Sequence, residues 1–489
     1  MAGQNIFFRP PEGWVGDVIP YFHEGAFWLF YLHDRRDQEH PGTSWHLVRT
    51  TDFVGYDYLG EVLPHGDAES QDLHAYTGSV LAAEGAFHLF YTGYNPAVVD
   101  EETGRPLQAV MHAVSDDLLN WKKVPEHTFH APRDHYERED WRDPFVYQEE
   151  DGRYSMLLAA RTVEGPSRRR GVTARCVSDD LANWTIIEPL WAPSRYITHE
   201  CPDLFRIGEW WYLVYSEFSE RYTTRYRMSR DPGGPWLVPE YDTLDGRALY
   251  AAKTASDGTR RYAFGWIPTR DGESDAGAWE WGGDLAVHEL VQRPDGTLDV
   301  RMPETIRSTF STPVQTHFAP VTGTWEPVGG LRTSATGSYA SVVAPGLPSR
   351  YLASVTITFE PGTRECGLIL RASADAEDGY IIRLEPQRDR LVFDRWPRRD
   401  PGPLQWQIDG DVPHAVELER PCDLAPEIPH RLDVIVDGPA CIAYLDGRVA
   451  MSARMYDRTT GGIGLFVGEG AAVFADFLVT TSPTERNAP

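Results

Sequence analysis

The sequence predicts an all-β chain: a five-bladed β-propeller followed by a C-terminal β-sandwich. A glycine-led aromatic strand recurs through the first 290 residues, a second motif repeats in phase with it, and both stop near Pro303. Helical patterns of ten or more residues are scarce, which disfavours helical solenoids.

The strand motif opens as Gly25-Ala26-Phe27-Trp28-Leu29-Phe30-Tyr31 and returns as Gly85-Ala86-Phe87-His88-Leu89-Phe90-Tyr91. Further copies start at Gly152 and Gly208, and a weaker fifth follows Gly258 through Phe264-Gly265-Trp266. The glycines are 60, 67, 56 and 50 residues apart, and each feeds a β-rich segment, as a turn glycine does. The second motif is Thr51-Asp52-Phe53, Ser115-Asp116-Asp117-Leu118 and Ser178-Asp179-Asp180-Leu181, with a weaker copy at Ser229-Arg230-Asp231. A unit of that length, built from short strands, reads as a propeller blade. The catalytic propeller is expected over 1–307. A Thr-, Pro- and Gly-rich linker is expected over 308–328 and a β-sandwich over 329–489, where Asp437-Gly438 and Asp446-Gly447 mark hairpin turns.

Composition narrows the function. The chain of 489 residues carries a formal charge of -27, which repels nucleic acid phosphates and anionic lipid. No nucleic acid or membrane partner is expected, and no run of 18 apolar residues stands out as a membrane span. Five cysteines without a Cys-x-x-Cys pair argue against a zinc site and against a full disulfide framework. Met1 to Arg9 has no apolar leader, so the expectation is a cytoplasmic protein or a secreted one in mature form. Aromatics at 12%, including 16 Trp and 23 Tyr, suit sugar C–H faces as well as β-structure. Neither a cofactor nor a metal is expected, since the histidines near the motifs lack ligand spacing.

Measured from the strand glycines, three carboxylates share a phase. Asp17 lies eight residues before Gly25, Asp143 nine before Gly152, and Glu200 eight before Gly208. Equivalent positions on innermost strands face one axial funnel, so three acids distant in sequence should meet there. Glycosidic cleavage needs clustered carboxylates, one as nucleophile or base and one held protonated for the leaving oxygen. Arg142, beside Asp143, can grip a hydroxyl or a carboxylate with two hydrogen bonds. His199, beside Glu200, is expected to hydrogen-bond within the funnel.

These residues resemble glycoside hydrolase family 32, the invertase, inulinase and levanase group. Gly13-Trp14-Val15-Gly16-Asp17 is similar to the family's Trp-x-Asn-Asp-Pro-Asn-Gly segment, and Tyr76-Thr77-Gly78-Ser79 to its Phe-Ser-Gly-Ser segment. Trp141-Arg142-Asp143-Pro144 and Glu200-Cys201 match its Arg-Asp-Pro and Glu-Cys motifs. The resemblance implies Asp17 as nucleophile, Asp143 as transition-state stabiliser and Glu200 as general acid/base. It also implies sugar contacts from Trp14, Tyr76 and Thr77. Gly16 replaces an Asn, and Leu32 replaces a sugar-binding Gln. His33, Asp34, Trp45 and His46 are expected to supply replacement contacts, which points away from plain sucrose and toward an oligosaccharide or small furanoside such as a difructose anhydride. Two alternatives stay open. One is a fructosyltransferase using the same intermediate; product analysis at high substrate concentration separates it. The other is a non-catalytic carbohydrate-binding propeller, which would lack one of the carboxylates.

Overall fold

The computed structural model describes residues 6–37, 39, 41–396 and 417–482. The chain divides into two compact units: 1–269 with 280–298, and 270–279 with 299–489.

The first unit is the propeller. Blade I consists of Trp14–His23, Ala26–Asp34, Trp45–Thr50 and Asp57–Leu63, and blade II starts at His74–Ala83. Blade III runs from Tyr136–Gln148 to Thr185–Trp191. Blade IV starts at Glu200–Ile207 and blade V at Tyr250–Ser256. The repeated glycines all have positive φ, between 57° and 93°. In blades I and II the preceding glutamates, Glu24 and Glu84, do too, so both central residues of these two-residue hairpins are left-handed, as the twist of the flanking strands requires. The last blade also bonds back to the first, through Val15 paired with Gly283, which closes the ring.

The second motif proves to be a repeated turn. Asp52, Asp117 and Asp180 each accept two backbone N–H bonds from the residues two and three ahead, at 2.7–3.0 Å. The residue between, Phe53, Leu118 or Leu181, adopts positive φ and is buried. The aspartate therefore offsets the backbone cost of driving an apolar plug into the blade. Blades pack face to face: Leu32, Trp45 and Leu47 of blade I meet Ala75, Leu89, Tyr91 and Met111 of blade II. Each fully buried Leu side chain contributes about 1.5–3 kcal/mol.

The second unit is a sandwich of two antiparallel sheets, of eight and seven strands among the described residues. Arg350–Phe359 lies between His430–Asp437 and Ala471–Thr481 in one; Glu365–Ala372 lies between Gly462–Gly468 and Gly379–Glu385 in the other. The stretch expected as a linker, 308–328, differs. Thr312–Val314 and Ala319–Thr322 pair with Ala471–Thr481 and Tyr339–Ala344, and Trp325–Pro327 pairs with Leu331–Ser334. All three are sheet-edge strands, where proline is tolerated, so a Pro- and Thr-rich composition hides them. Among the described residues no helix is long and apolar enough to cross a membrane.

Candidate active site

Every innermost strand of the propeller carries one extra residue at the same place. Regular pairing breaks between Val15 and Val18, Tyr76 and Gly78, Arg142 and Phe145, Glu200 and Asp203, and Tyr250 and Lys253. In each case the partner strand advances one residue less. A bulge re-aims the side chains around it, here in five blades at once. Asp143, Cys201 and Ala251 adopt positive φ inside their bulges, at 58°, 49° and 51°. For L-residues this costs of the order of 1–2 kcal/mol each, and such strain concentrates at functional sites.

Counting back from the residue where pairing resumes, the funnel is layered. One step back stand Asp17 and Thr77, and Thr77 Oγ1 donates to Asp17 Oδ2 at 2.5 Å. Two steps back stand Asp143 and Cys201, and the Cys201 N–H donates to Asp143 Oδ2 at 2.9 Å. Three steps back stand Arg142, Glu200 and Tyr250. Arg142 Nη2 donates to Glu200 Oε1 at 3.0 Å and the Tyr250 hydroxyl to Oε2 at 2.6 Å. The three carboxylates thus sit at equivalent bulges on three strands but occupy three successive steps. The layers touch: Cys201 Sγ lies 3.7 Å from Asp17 Oδ2, and Arg142 Nε 3.9 Å from Asp143 Oδ2. At the level where pairing resumes, buried Lys253 donates to the Gly78 carbonyl at 2.9 Å.

The electrostatics follow from this crowding. Burial pushes the Asp17 carboxyl up to about 6, and the Asp143 and Glu200 charges add to the rise. Hydrogen bonds from Thr77 and from Trp266 Nε1, at 3.0 Å to Oδ1, oppose it. Burial likewise raises Glu200; Arg142 and the Tyr250 hydroxyl pull it back. Asp143 is buried, and its own N–H donates to Thr92 Oγ1 at 2.8 Å. The site therefore holds two raised acids, with a cation and a phenol on one and an indole and a hydroxyl on the other.

The remaining expected contact residues divide. Tyr76 is half-buried at the funnel and stacks on His74 and Tyr94. Trp14 has Arg9 at 4.2 Å and Arg36 at 5.1 Å from its ring, and Asp34 is engaged by Arg36 at 3.0 Å. Two expectations are corrected outright. Trp45 is 0% exposed, with Nε1 on the Ala75 and Tyr76 carbonyls, so it is core and meets no ligand. His199 is also 0% exposed; burial lowers it to about 3, and it packs against Trp191 and Tyr215. Strand alternation turns it away from the funnel that its neighbour Glu200 enters. His33 is 6% exposed and points Nε2 at the Glu12 carbonyl, 2.7 Å away, so it braces the strand end. The departure at Leu32 is also a core position, 1% exposed.

Sequence reasoning missed Tyr250 and Trp266, which bond to Glu200 and Asp17 from blade V. It also missed Tyr222, stacked on Tyr250 at 4.1 Å. For Tyr250 the signal was present: it lies eight residues before Gly258, the spacing that located Asp17 and Glu200. Among the described residues no group of three or more His, Cys, Asp or Glu side chains is arranged to hold a metal ion.

Residues 7–293 match the model of the glycosyl hydrolases family 32 N-terminal domain, and residues 329–481 that of the family 32 C terminal. The chain belongs to glycosyl hydrolase family 32. Curated relatives include the Escherichia coli raffinose invertase, 27% identical over 61% of this chain and 64% of its own length. An Escherichia coli sucrose-6-phosphate hydrolase is 24% identical over 60% and 63%. The chain thus spans somewhat under two thirds of the length of these relatives. Sucrose-6-phosphate hydrolase from Lactobacillus gasseri superposes with a TM-score of 0.73 at 19% identity, covering 98% of this chain and 93% of that one. Exo-inulinase from Aspergillus awamori gives 0.73 at 16%, covering 98% and 97%. The family 32 architecture of propeller and sandwich therefore extends over nearly the whole chain.

Proposed function

We propose that this family 32 protein hydrolyses β-fructofuranosides or closely related furanosides with retention, by double displacement. The observation that carries the reading is the layered cluster of Asp17, Asp143 and Glu200, with Arg142 against the last two. Asp17 attacks the anomeric carbon as the leaving oxygen takes a proton from Glu200. The bond from Asp17 to the sugar forms as the glycosidic bond breaks. Glu200, now a carboxylate, removes a proton from water, which attacks the same carbon and releases Asp17. Asp143, held by the Cys201 N–H, faces the positive charge that develops on the ring. Arg142 keeps Glu200 oriented and repays part of the cost of burying it. Relatives that act on sucrose phosphate, raffinose and levan support the fructofuranoside class.

Glu200→Gln tests the roles. Turnover of natural substrates should fall by roughly 10²–10⁴-fold. An activated aryl furanoside needs no acid in its first step, so the sugar should accumulate on the Asp17 peptide, visible by mass spectrometry. Azide, which needs no base, should restore turnover and yield the retained glycosyl azide. Label found on no Asp17-containing peptide would sink the nucleophile assignment.

A further inference from the structure

The residue before Asp17 is Gly16, and the space beside it is taken by an aromatic ring. A Cβ at position 16 would lie 2.3 Å from Trp281 Cη2 and 2.7 Å from Cζ2. Trp281 belongs to blade V, in Trp279–Gln292, and is 38% exposed, so one edge of the indole covers bare backbone while part of the residue stays open. Its ring stands 6.0 Å from that of Trp266, at 65°, and Trp266 is the residue that donates to Asp17. The backbone that carries it is braced. Arg36 Nη2 donates to the Trp281 carbonyl at 3.1 Å and to Thr269 Oγ1 at 2.6 Å, while its other nitrogens bind Glu280 and Asp34 at 2.5 and 3.0 Å.

We propose that Trp281 determines which sugar this site accepts. Gly16 offers no side-chain hydrogen bond at this edge of the pocket; the indole offers a flat apolar surface instead. A sugar C–H or ether edge packs on that surface, whereas a free hydroxyl is desolvated there without a partner. The wall therefore selects furanosides whose hydroxyl at that edge is etherified or missing, as in the intramolecular dianhydrides of fructose, over those in which it is free, as in sucrose. An apolar surface rejects an added hydroxyl by about two orders of magnitude at most, which bounds the preference at roughly 10–100-fold. The inference rests on the furanosidase reading above.

The test compares kcat/KM for a difructose dianhydride and for sucrose, with an aryl β-fructofuranoside as the measure of competence. The wild-type protein should favour the dianhydride, a result read without any variant. Trp281→Ala should lower the dianhydride-to-sucrose ratio by roughly 10–100-fold, mainly through the dianhydride KM. Trp281→Phe keeps an aromatic wall and should keep most of the preference. Gly16→Asn in the Trp281→Ala background should move the ratio further toward sucrose. A wild-type preference for sucrose overturns the inference, as does a ratio that Trp281→Ala and Trp281→Phe both leave within about twofold of wild type. A wild-type protein that cleaves none of the three overturns the furanosidase reading and the inference with it. Cleavage with the wrong preference overturns the inference alone.

Discussion

At the scale of single residues, Asp17, the proposed nucleophile, carries opposing demands. A nucleophile must be ionised, yet burial and two neighbouring acids raise this carboxyl to about 6. An unfolded aspartate titrates near 3.8. Below that value both states are protonated and the site costs nothing. As pH rises toward 6 the unfolded chain releases a proton that the folded one keeps, so stability falls, and the loss is complete above about 6. Asp17→Asn should therefore stabilise the fold at pH 7 by up to about 3 kcal/mol while abolishing turnover. The gain should vanish below about pH 4. Denaturant unfolding of both proteins at pH 7 and at low pH checks this, and equal stability at pH 7 counts against it.

Tyr250 acts on the other acid. Its hydroxyl donates to Glu200 and favours the carboxylate, lowering a group that burial raises. In the proposed mechanism Glu200 must be protonated to start the reaction, so the alkaline limb of kcat/KM reports its proton affinity. Tyr250→Phe removes the donor, and that limb should move to higher pH while the acidic limb, set by Asp17, stays in place. A pH–rate profile resolves the two limbs. A uniform fall in rate at every pH would mean that Tyr250 only fills space.

At the scale of the strand, the bulge is the device that makes the site. A regular strand sends alternate residues to opposite faces, so neighbours such as Arg142 and Asp143 could not both line the funnel. The extra residue breaks the alternation, and side chains from three successive steps turn inward. The geometry leaves little room at Gly78, where pairing resumes in blade II. A Cβ there would lie 1.8 Å from the Phe90 carbonyl oxygen. Gly78→Ala must push two paired strands apart beside Thr77, and should cost about 3 kcal/mol. The hydroxyl that donates to Asp17 would move with them, so catalysis should fall along with stability. Denaturation midpoints and kcat together test this; a fully stable and fully active Gly78→Ala protein would show that the strand yields freely. None of the bulges could be read from the sequence. A one-residue insertion leaves the apolar pattern on both sides intact, and only the pairing register reveals it. For that reason the glycine spacing placed Asp17, Asp143 and Glu200 on the right strands but could not order them in depth.

At the scale of the molecule, the sequence by itself determined the propeller, the sandwich and the convergence of Asp17, Asp143 and Glu200. Each of these follows from local chemistry. A turn glycine, an aspartate that caps its own turn and an aromatic strand recur because every blade must solve the same folding problem. The phase of that repeat carried the acids to one funnel, and the family motifs at Arg142-Asp143-Pro144 and Glu200-Cys201 named the chemistry. The tertiary structure alone decided which neighbours serve those acids. His199 lies beside Glu200 in sequence, yet packing buries it, like Trp45, in a blade core. Tyr250 of the fifth blade reaches Glu200 of the neighbouring fourth, whereas Trp266 reaches Asp17 only because the ring closes, with Val15 of the first blade paired to Gly283 of the last. That closure also lays Trp281 against Gly16. Closure brings together residues more than 200 positions apart, and no local propensity or spacing records such a contact.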